Sequence, residues 1–141
     1  MKYVRWALGA LVGLYVLRNL YYWVLTAGSK SGLMPLSGDN VGFQSLIDAI
    51  ALWQVVVWAV AIAAYAVAAL RLLRGGKALV PLAAGFVLDG GLYLMMRQIP
   101  AYQAAPAQVQ QIDMLCLAAV AVAVVITWWT ERSSAPSAAA A

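Results

Sequence analysis

Arg18, Asp89 and Asp113 are ionisable side chains set within long apolar stretches of a 141-residue chain. A charge in the hydrocarbon core of a bilayer costs roughly 2.5–3.5 kcal/mol on insertion scales, so each of the three requires a partner, a water-filled cavity or a task. Their types allow two chemistries. A guanidinium and a carboxylate from different helices can neutralise one another and hold helix register. A carboxyl left without a cation can carry a proton or a small cation.

Depth brings these groups together. Counting from Trp6, Arg18 lies about 18 Å along its helix, and counting from Lys77, Asp89 lies about 18 Å along its own. Asp113, counted back from Trp128, and Gln54, counted back from Arg71, fall about 22 and 25 Å from the same side. Asn19 and Gln54 add amides to this layer. Asp89, Tyr93 and Arg97 recur at i, i+4 and i+8 and so share one helix face, with Gly85, Gly90 and Gly91 thinning the helix around the acid. The candidate site is therefore Arg18, Asn19, Gln54, Asp89, Tyr93, Arg97 and Asp113.

Three readings fit that layer. In the structural one, Arg18 pairs with Asp89, and Asp113 pairs with Arg97 or meets water at the outer edge. In the second, two acids face one deep Arg, and the surplus carboxyl is a proton or cation site opening outward. In the third, the acids meet another subunit.

Asp48 is expected to be simpler: Ser45 and Asp48 have the spacing of a helix-capping box, with the acid near the positive end of a helix dipole. Tyr65, Trp58, Met95 and Met96 read as lipid-facing or packing residues.

Other chemistries are excluded by composition. The chain has no His and a single Cys, Cys116, which removes histidine-ligated metals and haem, histidine-dependent nucleophilic catalysis and an internal disulfide relay. No phosphate-binding glycine loop is present, and Gly75-Gly76 reads as a turn. No cofactor and no enzymatic activity are expected.

The elements that must position the layer are membrane helices. A hydrophobic content of 65% and a mean hydropathy of +0.85 exceed the roughly 45–50% apolar usage of soluble domains. Four stretches, about 6–27, 46–73, 79–96 and 112–129, approach or exceed the ~20 residues a helix needs to cross ~30 Å of hydrocarbon. None alternates polar with apolar residues, which argues against a barrel. The expected fold is an all-α, four-transmembrane-helix bundle over residues 1–132, followed by a disordered tail over 133–141.

Topology follows from the basic residues. Lys2, Arg5, Arg71, Arg74, Lys77 and Arg132 fall on one side and Lys30 and Arg97 on the other, which places both termini in the cytoplasm of an inner-membrane protein. The net charge of +4 thus reports orientation rather than a nucleic-acid partner. Trp6, Trp128 and Trp129 are expected at the inner interface, and Tyr21, Tyr22, Trp23 and Tyr102 toward the outer one. Met1 to Ala27 also resembles a cleavable secretory signal, but Leu20 to Leu25 prolongs its apolar run beyond the usual length, so an uncleaved first helix is expected.

The short connection with Gly75-Gly76 makes the second and third helices an antiparallel hairpin, and Pro81 sits in the third helix's first turn. The connections 28–44 and 98–111 are long, nearly neutral loops. Gly9-x-x-x-Gly13, the alanines Ala59, Ala63, Ala64 and Ala68, and Ala119 with Ala123 read as intramolecular packing faces. The expected function is a non-catalytic accessory or assembly subunit of a larger membrane complex. The alternatives are a small homo-oligomeric transporter or proton-coupled carrier using the Arg/Asp layer, and a lipid-binding protein using the outer loops and Tyr21-Tyr22-Trp23. Expected partners are the lipid bilayer and other membrane subunits or further copies of the chain.

Overall fold

The computed structural model describes residues 1–38 and 43–133, and among these the secondary structure is entirely helical. The order is α1 (Lys2–Lys30), α2 (Gln44–Ala49), α3 (Leu52–Arg74), α4 (Leu79–Met96), α5 (Pro100–Gln103) and α6 (Ala107–Ser133). Helices α1, α3, α4 and α6 are long and apolar enough to cross a membrane. The shortest, α4, has 18 residues and so measures ~27 Å, close to the thickness of a hydrocarbon core.

α1 packs most closely on α3 and α3 on α4, while α6 lies chiefly against α4. The α3–α4 hairpin expected from the glycine pair is present. Gly75 closes α3 at φ +79°, a left-handed conformation natural to glycine, and the Gly76 N–H donates to the Arg71 carbonyl at 2.7 Å.

The bundle end that carries the start of α1 and the end of α6 is clamped by charge. Arg5 donates through Nη2 to the Gly76 carbonyl, which ties the start of α1 to the hairpin turn. Glu131 accepts the Ala78 and Leu79 N–H groups at 2.6 and 3.2 Å, placing a carboxylate on the positive end of α4. Between these clamps and the middle of the bundle lies the core, including Leu8, Val12, Tyr65, Leu72, Leu82, Val120 and Ala123. Gly9 contributes to it, because a Cβ there would stand 2.9 Å from the Leu73 side chain, whereas Gly13 faces open space. The small-residue faces are likewise split: Ala68 and Ala123 are buried, but Ala63 and Ala119 point outward.

Four expectations about the elements are corrected. The second apolar stretch is not one helix over 46–73. It breaks at Ile50 and Ala51, both extended, because Gln54 turns its side chain back to accept the Ala51 N–H at 2.7 Å and starts a new helix there. Nor do Ser45 and Asp48 form a capping box: α2 begins at Gln44 with no side-chain cap, and Asp48 accepts from Gln44 Nε2 at 2.7 Å. The two long connections also carry structure, since α2 and α5 pack against each other, and α2 also rests on α1. The outer helices α1 and α6 run further than expected at both ends, and residues 134–141 of the expected tail lie outside the described residues.

Candidate functional site

The half of the bundle away from the termini is hollow. A cavity of about 250 Å³ is walled by α1, α3, α4 and α6, and residues of α2, α5 and the segments beside them line its far end. Arg18, Asn19, Gln54, Asp89, Tyr93 and Asp113 all line it, so six of the seven candidate residues converge. Arg97 does not. It caps the end of α4 with its side chain exposed, and its backbone carbonyl accepts from Gln103 Nε2.

The pairing within the layer differs from the expected one. Arg18 Nη2 bonds Asp113 Oδ1 at 2.5 Å rather than Asp89, and the guanidinium lies over the Tyr22 ring, 5.3 Å from its centroid. The second Asp113 oxygen accepts from Tyr102 at 3.0 Å, so neither Arg97 nor water is needed to explain this acid's position. The depth count placed Arg18 level with Asp89, but azimuth decides the partner. α1 presents Arg18 to α6 and, three residues earlier, Tyr15 to α4.

Asp89 is instead held by phenols. Its Oδ2 accepts from Tyr15 at 2.5 Å and from Tyr65 at 3.2 Å. The two rings meet edge to face, centroids 5.3 Å apart and planes at 84°, with Tyr15 and Asp89 lining the cavity. Gly85 makes room for this ring pair, because a Cβ at that position would come within 2.8 Å of the Tyr65 ring. Among the described residues the ion pair found is Arg18–Asp113, and no Lys or Arg pairs with Asp89.

The amides brace the walls. Asn19 is 5% exposed; its Nδ2 donates to the Tyr15 carbonyl, and its Oδ1 accepts the Trp58 indole N–H at 3.0 Å. About one turn further, Trp23 donates to the Val55 carbonyl at 2.9 Å, a second tie between α1 and α3. Gln54 belongs to the start of α3 rather than to the buried layer, and its second contact is a long one to the Met95 sulfur.

Several functional aromatics were not read as such from sequence. Tyr65 is 1% exposed and bonds Asp89, so it is neither lipid-facing nor simple packing. Tyr102, expected in an interfacial belt, is buried over Asp113 and stands edge to face with Tyr93 at 6.5 Å. Burial, reinforced by the Asp113 carboxylate, pushes the Tyr102 phenol above its ordinary range. The one sequence signal for these roles was the presence of phenols at the depth of the acids. Trp6, Trp128, Trp129 and Tyr21 remain exposed on the bundle surface, as belt residues would be.

Chemically, the site offers a neutralised Arg–Asp pair on one wall, a phenol-bound carboxyl on another, and a lining that is otherwise aliphatic and aromatic. Comparison with protein-family models, with curated proteins and with solved structures finds no match to this chain.

Proposed function

We propose that this chain is a small, non-catalytic multi-pass protein of a bacterial-type inner membrane that binds a small molecule in its cavity, as a carrier does. The observation that carries this reading is the cavity itself, together with the carboxyl of Asp89 in its lining. A bundle needing only rigid packing would gain from filling that volume with side chains, since empty apolar space forfeits dispersion contacts. The basic residues support an orientation with both termini in the cytoplasm, so that the cavity opens toward the outer side.

The test is saturable binding of a neutral single-ring hydrocarbon such as neopentylbenzene to the purified chain, compared with Leu117→Trp, which fills the cavity wall with an indole. Binding by the wild type that is lost in the filled variant is the expected result. Identical, unsaturable uptake by both would mean that the hydrocarbon partitions into detergent and that the cavity has no binding role.

A second reading, an accessory or assembly subunit of a larger complex, is favoured by α4. Gly90 and Gly91 face open space there, and such small residues let another helix approach closely. Its test is the mass of the complex extracted in mild detergent; a monomeric mass without partners removes it.

A further inference from the structure

The charges around the cavity do not balance, and this imbalance specifies a ligand. Among the described residues Arg18 and Asp113 cancel, which leaves Asp89 as the surplus acid of this layer, hydrogen-bonded by two phenols. A carboxyl enclosed this way is matched either by a proton or by a cation standing beside it. A ligand carboxylate would set a further anion in a layer that already holds two acids and one guanidinium, the latter engaged by Asp113 and Tyr22. The walls fit the opposite charge. Tyr15, Tyr22, Phe43, Trp58, Tyr93 and Tyr102 all line the space, and aromatic faces attract alkylammonium groups.

Size narrows the class further. A cavity of roughly 150 Å³ accommodates benzene, so about 250 Å³ has room for one ring with a small substituted ammonium. Resting on the reading that the cavity binds a small molecule, we propose that its ligand is a lipophilic organic monocation of about that size, which takes the place of the Asp89 proton. On entry the O–H bond of Asp89 breaks, the proton leaves through the cavity to bulk water, and the carboxylate faces the ammonium. The net charge of the layer is zero before and after. The other titratable groups facing this exchange are Tyr15, Arg18 and Tyr22 from α1, Tyr65 from α3, Tyr93 from α4, Tyr102 from α5 and Asp113 from α6. One proton released per cation bound makes apparent affinity fall as the medium is acidified, approaching about tenfold per pH unit.

The experiment titrates the full chain in mild detergent with three probes: benzyltrimethylammonium, its uncharged carbon isostere neopentylbenzene, and phenylacetate. Saturable change in tryptophan fluorescence reports binding, since Trp58 stands in the wall. The expected result is cation binding at least about tenfold tighter than the isostere, with proton release into a weakly buffered solution. Asp89→Asn should remove that advantage and abolish the proton release, with circular dichroism in the same detergent showing whether the variant is folded. If the variant does not fold, the three-probe comparison and the proton count on the unaltered protein decide. Equal binding of cation and isostere, preference for phenylacetate, or cation binding without proton release overturns the inference while leaving the cavity as a binding site. Failure of every probe to saturate removes both.

Discussion

Arg18 and Asp113, separated by 95 positions in the chain, form the ion pair that joins α1 to α6 at 2.5 Å. These two helices otherwise touch little, since α6 leans mainly on α4. The pair therefore closes the bundle on the side where packing is thinnest.

Breaking it from either end should leave an uncompensated charge in a nonpolar setting. Fully buried pairs cost ~3–5 kcal/mol when one partner is removed; with side chains 30% and 23% exposed, Arg18→Gln or Asp113→Asn should each cost about 1–3 kcal/mol. The double variant should recover part of that loss. Unfolding by denaturing detergent measures the cycle, and strictly additive losses would show that the two residues do not act as a pair.

Gly85 and Gly90 lie on the same helix yet predict opposite results. At Gly85 a methyl group would press on the buried Tyr65 ring and displace its hydroxyl from Asp89, so Gly85→Ala should destabilise by about 1–3 kcal/mol. At Gly90 nothing stands within 4 Å, and alanine is the better helix former by ~1 kcal/mol. Gly90→Ala should thus be neutral or stabilising, and thermal unfolding of the two variants in one detergent compares them directly.

Tyr102 gives the site an alkaline signature. Its phenol is held neutral in the folded protein by burial and by Asp113, while in the unfolded chain it ionises near its ordinary value of ~10. Above that pH the folded state keeps a proton that the unfolded state has lost, so stability falls as pH rises. Below it, both states are protonated and the effect vanishes. Tyr102→Phe should flatten the decline between about pH 10 and 11.5; an unchanged slope would show that Tyr102 does not contribute to it.

At the opposite end, Glu131 couples the C-terminal helix to the hairpin. Glu131→Ala should cost about 1 kcal/mol, the usual value of a lost helix cap. It should also speed amide hydrogen exchange at Ala78 and Leu79 relative to the rest of α4. Unaltered exchange at those two amides would mean that another group caps the helix.

The number of helices long and apolar enough to cross a membrane and the hairpin turn at Gly75-Gly76 were legible in the amino-acid order. Each depends on local quantities: apolar length against ~30 Å of hydrocarbon, and a backbone conformation that glycine adopts freely. That six of the polar residues line one cavity follows in part from helical rise, which converts position into depth. Which acid meets the arginine was not legible. Depth says nothing of azimuth, and the rotation of α1 that gives Tyr15 to Asp89 and Arg18 to Asp113 is set by the packing of Gly9 against Leu73 and of Val12 in the core. The break at Ile50–Ala51 escaped for a related reason: hydropathy runs on through it, and only the returning Gln54 side chain marks the new helix start. The cavity, too, belongs to the tertiary structure alone, since its lining is drawn from α1, α3, α4 and α6 together and no single segment shows the space between them.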